Sequence, residues 1–313
     1  MMNNSRFIAD GKIDTHRTRL IKAIKAGIDS LDSYEIKPKG VFGSVAKIIC
    51  GDVTINSNEL DLEFNVKFDD DMEANECEII IYNLTQNTIK QFKNKKKISI
   101  EAGYTGDTGV IFSGFITKVT TKIEEADKVT TIKCIDDLSK KTISEITYVA
   151  GTKASYILRD LLNKTGTPIA VFKMRRDWTY VDEEKVDGDL YNAIKTYSEV
   201  CGVSTYVNKG KIYSRYIKEC DELSFTLSED TGLIGSPEEF EEENTITLKV
   251  DDENDKEIKD TIKGYECECL LQHRFAAGGK VKLKSLEANG TYRICSGEHR
   301  FSPDECISRV KMY

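Results

Sequence analysis

The chain has 313 residues, 39% hydrophobic and 31% charged, a balance that can bury cores and is far from that of a disordered polymer. Four prolines exclude collagen-like or proline-rich architecture, and no apolar run approaches the length of about eighteen residues that a membrane-spanning helix needs. The formal net charge of -8 is uneven: residues 221–263 hold fifteen Asp or Glu against four Lys, a net of -11, which leaves +3 for the rest. A segment that acidic repels nucleic acid and reads first as a solvated loop surface.

The opening residues MMNNSRFIADGKID lack the apolar stretch of a secretory signal, so a cytosolic protein, or one exported without Sec, is expected. Nine cysteines, from Cys50 to Cys306, sit mostly among apolar neighbours. They read as small buried hydrophobes, not as a disulfide framework.

Residues 1–36 read as an N-terminal arm. Leu20, Ile21, Ile24, Ile28 and Leu31 recur at helical spacing opposite Arg17, Arg19, Lys22 and Lys25, with Asp14 or Thr15 as a cap. Such a helix packs on its own protein, a partner or a membrane surface. From Val41 the period changes to two, as in Leu60, Leu62, Phe64, Val66 and Phe68. The segments 44–55, 60–68, 76–82, ISIEAGY, VIFSGFITKVTTKI and VTTIKCIDD read as strands, with TGDTG as a tight glycine turn and TQNTIKQFK as a short helix capped by Thr85. Strands at this spacing favour a barrel or sandwich.

The middle reads as a small α+β module. TKASYILRDLLNKTG (152–166) has a threonine start, the stripe Ile157, Leu158, Leu161 and Leu162, and Gly166 as its stop. IAVFKM is a short strand, 187–202 a second helix ending at Gly202, and residues 203–217 a hairpin turning at Asn208 to Gly210. Short strands return from 221 on. The expected division is an arm at 1–36, a first β domain at 37–148, an insert at 149–220 and a second β domain at 221–313.

Candidate chemistry is weak. Cys267, Cys269 and His273 form C-x-C-x3-H, yet zinc sites use wider cysteine spacing and a fourth ligand; a half-buried strand explains them better. The carboxylate runs at 69–71 and 238–243 are loop clusters, and no phosphate loop, nucleophile elbow or dinucleotide fingerprint occurs. Trp178 could stack on a sugar, but reads better as a partly buried aromatic of the insert. No catalytic, cofactor-binding or metal-binding residue is expected, and no cofactor.

Two blocks resemble a known family. CEIIIYNLTQNTIKQFKNKKKISIEAGYTGDTGVIFSGFITKVT (77–120) is similar to the first tube-like domain of phage tail hub proteins, through Tyr82, Asn83, Leu84, Ala102, Gly103, Tyr104, Gly109, Phe112 and Gly114. TGLIGSPE, CLLQHRFAAGGKVKL and NGTYRICSGEH are similar to the C-terminal β domain of baseplate hubs from contractile-tailed phages and phage-tail-like bacteriocins of Gram-positive bacteria, through Gly232, Gly235, Pro237, Gly278 and His299. Where that family often continues with Gly-Asp after the histidine, this chain has Arg300, Phe301 and Ser302.

The resemblance implies an α+β, mainly β fold, with two tail-tube-like antiparallel β-barrel domains flanking the insert. It implies a non-enzymatic homotrimer that adapts a sixfold tail tube to a threefold spike. The implied partners are tail tube or tube-initiator subunits, spike protein, baseplate wedge proteins, tape-measure protein and DNA passing through the lumen, with no membrane binding. The implied location is the bacterial cytoplasm during assembly, then the baseplate. The acidic segment then lines the lumen or forms a mobile loop. The alternative class is a cell-wall-binding or cell-wall-hydrolysing tail component, which would show a pocketed glutamate or clustered exposed aromatics.

Overall fold

Period-two alternation of apolar and polar residues gives each strand one buried face, and such faces must be covered. The computed structural model describes residues 43–136, 142–249 and 255–313. In it β1 (Ser44–Cys50), β2 (Val53–Asn56), β3 (Leu62–Asp69), β4 (Glu76–Tyr82), β5 (Lys97–Tyr104), β6 (Asp107–Glu124) and β7 (Asp127–Ile135) pair antiparallel in the order β3-β4-β7-β6-β5-β1-β2. Ile48, Phe64, Ile79, Ile100, Phe112 and Ile132, from six of these strands, fill one core. A sheet whose inward side chains share one core must curl around it, as barrels do. Between β4 and β5 lies the short helix α1 (Gln86–Ile89), where the Thr88 amide donates to Thr85 Oγ1 at 3.2 Å.

A second core belongs to β8 (Thr142–Tyr148), α2 (Ala154–Thr165), β9 (Ile169–Phe172), β10 (Glu184–Asp189), α3 (Leu190–Cys201), β11 (Ser204–Asn208) and β12 (Lys211–Arg215). Ile157, Leu158, Leu161 and Leu162 of α2 pack there with Ile194 and Tyr197 of α3. Gly166 and Gly202 end the two helices in left-handed conformations, φ 81° and 67°. Three details differ from the sequence expectation. Lys153, with no side-chain cap, precedes α2, because Thr152 Oγ1 donates to the Val149 carbonyl at 2.6 Å. The second helix starts at Leu190, since Asp189 accepts from the Asn192 amide and caps it there. The residues before it, read as helix, join β8 in a two-stranded sheet.

The third core is built from β13 (Leu223–Leu227), β14 (Leu233–Lys249), β15 (Asp255–Leu270), β16 (Lys280–Lys284), β17 (Asn289–Phe301) and β18 (Cys306–Met312). Phe225, Leu227, Cys267, Cys269, Phe275, Val281 and Ile294 meet in it. Among the short strands expected from 221 on, NTITLKV is found, as far as Lys249, in β14, and the carboxylate run at 238–243, read as a loop cluster, is strand as well: β14 and β15 pair in register from Glu238↔Glu266 to Lys249↔Asp255. The alternation of Thr245 and Thr247 with Ile246 and Leu248 marks the first stretch, whereas the second is strand because β15 goes on pairing along it.

The first and third cores share one sheet of thirteen strands, because β17 pairs with β18 on one side and β3 on the other. Most pairs are antiparallel, but β13 lies parallel to β16, and β12 parallel to β9. The fold is thus α+β and mainly β. The helix read over 15–31 lies outside the described residues, and no helix among the described residues is long and apolar enough to cross a membrane. Ile79 is fully buried in central strand β4; Ile79→Ala is expected to cost about 2–5 kcal/mol through lost transfer energy and an unfilled cavity. Urea denaturation midpoints of the two proteins check this.

Candidate functional site: a polar junction between the three cores

The polar groups that converge most closely lie where the three cores meet. The glycine turn between β5 and β6 presents Asp107, which Arg274 grips with two bonds, Nη2 to Oδ1 at 2.7 Å and Nη1 to Oδ2 at 2.9 Å. His273 Nε2 lies 3.0 Å from the same Oδ1. Arg274, then burial working the other way, then His273 set the Asp107 carboxyl, which ends at about 2, well below the usual carboxylate range. Gly109 makes the approach possible, because any Cβ there would collide with the His273 ring.

The insert reaches the same place through its β11–β12 turn. Lys209 and Gly210 both have positive φ, 50° and 72°, as the two central residues of a type I′ hairpin turn require. Lys209 Nζ donates to the His273 carbonyl at 2.7 Å, and burial pushes its ammonium down to about 8. Nearby, Asn75 donates from its amide side chain to Asp136 at 2.8 Å and to the Val207 carbonyl at 3.0 Å, tying the first core to the insert.

A second cluster holds the insert to the third core. Arg215, with 3% of its side chain exposed, donates to Asp221 Oδ1 at 2.7 Å, to Tyr206 Oη at 2.6 Å and to the Gly278 carbonyl at 3.2 Å. Gly278 has φ 79°, and a Cβ there would strike Arg215 Nη2 and Tyr206 Oη. Arg293, equally buried, bonds Asp70 at the end of β3, the Glu219 carbonyl at 3.1 Å and Tyr313 Oη at 3.1 Å. Buried charges that hold several partners at once fix one geometry.

The motif residues serve this frame and do not gather at one point. Tyr82 donates to Glu63 at 2.9 Å, Asn83 bridges to Asp127 and the Lys128 amide, and Leu84 is buried in the first core. Tyr104 donates to the Cys306 carbonyl at 2.8 Å, across 202 residues of chain, and Ala102 and Phe112 are core. Gly103 faces the backbone at Asp107, Gly114 faces the Ile135 carbonyl, and Gly232 packs on Leu270. Gly235 and Pro237 lie in the irregularity of β14 between Ile234 and Glu238.

His299 is fully buried against Phe68, ring centroids 5.0 Å apart. Its Nε2 is 3.3 Å from the Phe275 carbonyl and its Nδ1 is 2.8 Å from Ser308 Oγ. A carbonyl only accepts, so Nε2 carries the proton and Nδ1 accepts from the serine. Burial first, then the Lys209 charge, hold this imidazole down at about 3, a neutral ring.

Cys267 and Cys269 point into the third core, where burial pushes the Cys267 thiol up to about 12, while His273 turns to Asp107. Among the described residues no group of three or more His, Cys, Asp or Glu is placed to hold a metal ion. Trp178, expected to be partly buried, is 60% exposed. Its backbone meets the start of α2, where a β-bridge joins Lys153 to Thr179 and the Ala154 amide bonds the Trp178 carbonyl; Val149, Tyr156 and Val181 are exposed as well. The residues that sequence reasoning passed over are Asp107, Lys209, Arg215, Arg274 and Arg293. Asp107 and Arg274 lie inside the two family-like blocks, and that was the available signal.

A family described as the Alg8 N-terminal domain matches residues 82–216. That span starts at the end of β4 and so cuts through the first core, leaving Ile48, Phe64 and Ile79 outside it. No curated protein matches the chain. Solved structures do. The tail protein from Neisseria meningitidis MC58 superposes with a TM-score of 0.60 at 8% identity, covering 87% of this chain and 96% of that one. The 43 kDa tail protein of prophage MuSo2 from Shewanella oneidensis gives 0.61 at 7% identity, over 87% and 97%. The E. coli c3393 protein, a component of the type VI secretion system with structural similarity to the T4 bacteriophage tail proteins gp27 and gp5, gives 0.59 at 10% identity, over 85% and 76%. The chain shares its fold with these tail and secretion-system proteins.

The neutral His299 gives a pH prediction. Its folded pKa, about 3, lies below the ordinary 6.5, so between these values the unfolded chain binds a proton that the native one does not. Its contribution to stability is complete above pH 6.5 and is lost as pH falls towards 3. As pH falls from 7 to 5 the wild-type urea midpoint is expected to fall relative to that of His299→Gln, which keeps one donor and one acceptor but does not take up this proton.

Proposed function

We propose that the chain is a non-enzymatic structural subunit of a contractile phage tail or phage-tail-like particle. In finer terms it is a baseplate hub whose homotrimer adapts a sixfold tube to a threefold spike, with tube, spike, wedge and tape-measure proteins as neighbours. It assembles in the bacterial cytoplasm and works in the baseplate. Two strand-rich cores per chain, at 37–148 and 221–313, then make a three-chain ring pseudo-sixfold, with 149–220 as the insert and 1–36 as an arm.

The observation that carries this reading is the likeness to tail proteins over 87% of the chain, cores and insert together. The junction supports it, since its buried charges and glycine contacts lock three cores in one arrangement.

Native mass spectrometry tests the reading, on the tagged protein alone and on material drawn from cells expressing the whole particle. The expected result is a trimer of about 106 kDa, three times 35.3 kDa, joined in the second preparation by tube or spike subunits. A stable monomer without tail components in either preparation overturns it.

A further inference from the structure

The thirteen-strand sheet, whose path runs from β14 to β2, leaves two unpaired edge segments of opposite charge. At one end β15 pairs with β18 only from Tyr265 to Leu270, so the rest of the β14–β15 hairpin projects as a two-stranded ribbon. Among the described residues no strand pairs with the outer edge of β14. Inside the path, β6 pairs with β5 only as far as Phe115, while its pairing with β7 continues to Glu124. The β5 side of β6 from residue 118 on is therefore also open among the described residues. Open edges expose a row of backbone donors and acceptors, which is a template for another strand.

The side chains at the two edges differ in sign. Lys118 and Lys122 are exposed on β6, with no carboxylate of the described residues within ion-pair distance, and with Thr120, Lys133 and, at the strand's end, Glu124 they line a concave strip. Glu238 and Glu239 are exposed on β14. The registers carry Glu238 and Lys118 to the same face of the sheet. Glu238 opposes Glu266, and Glu266 opposes Lys311; farther along the path Glu78 opposes Lys133, and Lys133 opposes Lys118. Between them Arg309, Glu298 and Lys67 continue that face. Lysine on an edge alone would read as protection against pairing. Glutamate on the complementary edge changes the reading, because a second copy of the same chain then presents the matching partner.

We propose that the acidic open edge of β14, at Glu238 and Glu239, pairs with the lysine-bearing open edge of β6, at Lys118 and Lys122, of a second copy of this chain. The contact joins two different patches, so it is head-to-tail and generates a ring when the rotation closes. The inference rests on the trimeric reading above and specifies its interface. Backbone bonds supply the continuity of the sheet, and the charges choose the partner edge and reject like edges.

Charge reversal tests it. Lys118→Glu with Lys122→Glu, and separately Glu238→Lys with Glu239→Lys, are each expected to raise the concentration for half-assembly by about tenfold or more. The chain carrying all four substitutions restores both complementary edges and is expected to reassemble. Native mass spectrometry across a concentration series reads the assembly, and circular dichroism melting confirms that each variant is folded. A wild-type trimer that both single-edge variants also form overturns this interface and leaves the hub reading standing. So does a folded four-substitution chain that fails to reassemble. A wild-type chain that stays monomeric at every concentration and in the particle preparation overturns both.

Discussion

Residues 296–301 of β17 bond to β18 on one side and to β3 on the other, and this doubly paired stretch holds the molecule together. Its inward residues serve two cores. Phe301 stacks on Phe64, centroids 5.3 Å apart, in the first core, while His299 lies against Phe68 beside the third. A slip of one residue in the β17–β3 ladder would send both rings to the outer face and bring Glu298 and Arg300 inside. The register is therefore pinned by burial on one face, and on the other Asn65 Nδ2 of β3 donates to Glu298 Oε2 of β17 at 3.5 Å.

Around that seam the junction adds orientation more than stability. Ion pairs taken out of water repay their desolvation only in part, so Arg215, Arg274 and Arg293 are weak arguments for a large folding energy. Their worth lies in geometry. Each arginine has donors aimed at carboxylates, carbonyls or phenols from different cores, and Gly109 and Gly278 supply the close approach that these contacts need. A subunit that must transmit load between neighbours needs such fixed angles between its cores, and a hydrophobic contact, being non-directional, would not set them.

Much of the local structure could be read from the chain. Thr85 caps its helix, Gly166 and Gly202 end theirs, and the alternation through Phe64, Val66 and Phe68 marks a strand, because these signals act over a few residues. The short partners β8 and β10 escaped reading, since six exposed or half-exposed residues in TISEITY blur the alternation. In the acidic hairpin the threonine and isoleucine alternation was legible, but the carboxylate run at 238–243 read as loop, because only the partner strand β15 makes it a strand. Of the junction, the glycines, His273, His299 and the carboxylate run that holds Asp70 stood out; the arginines look like any surface arginine until their partners are placed.

The sequence by itself determined the element types, their caps and turns, the mainly β class and the two blocks that resemble tail hubs. Tertiary structure alone decided that Asp107 meets Arg274 across 167 residues, that β17 joins two cores in one sheet, and that two edges of opposite charge are left open. The physical reason is range. Propensity, capping and period are properties of neighbouring residues, whereas strand partners and buried charge pairs depend on which surfaces remain to be covered once each element has formed.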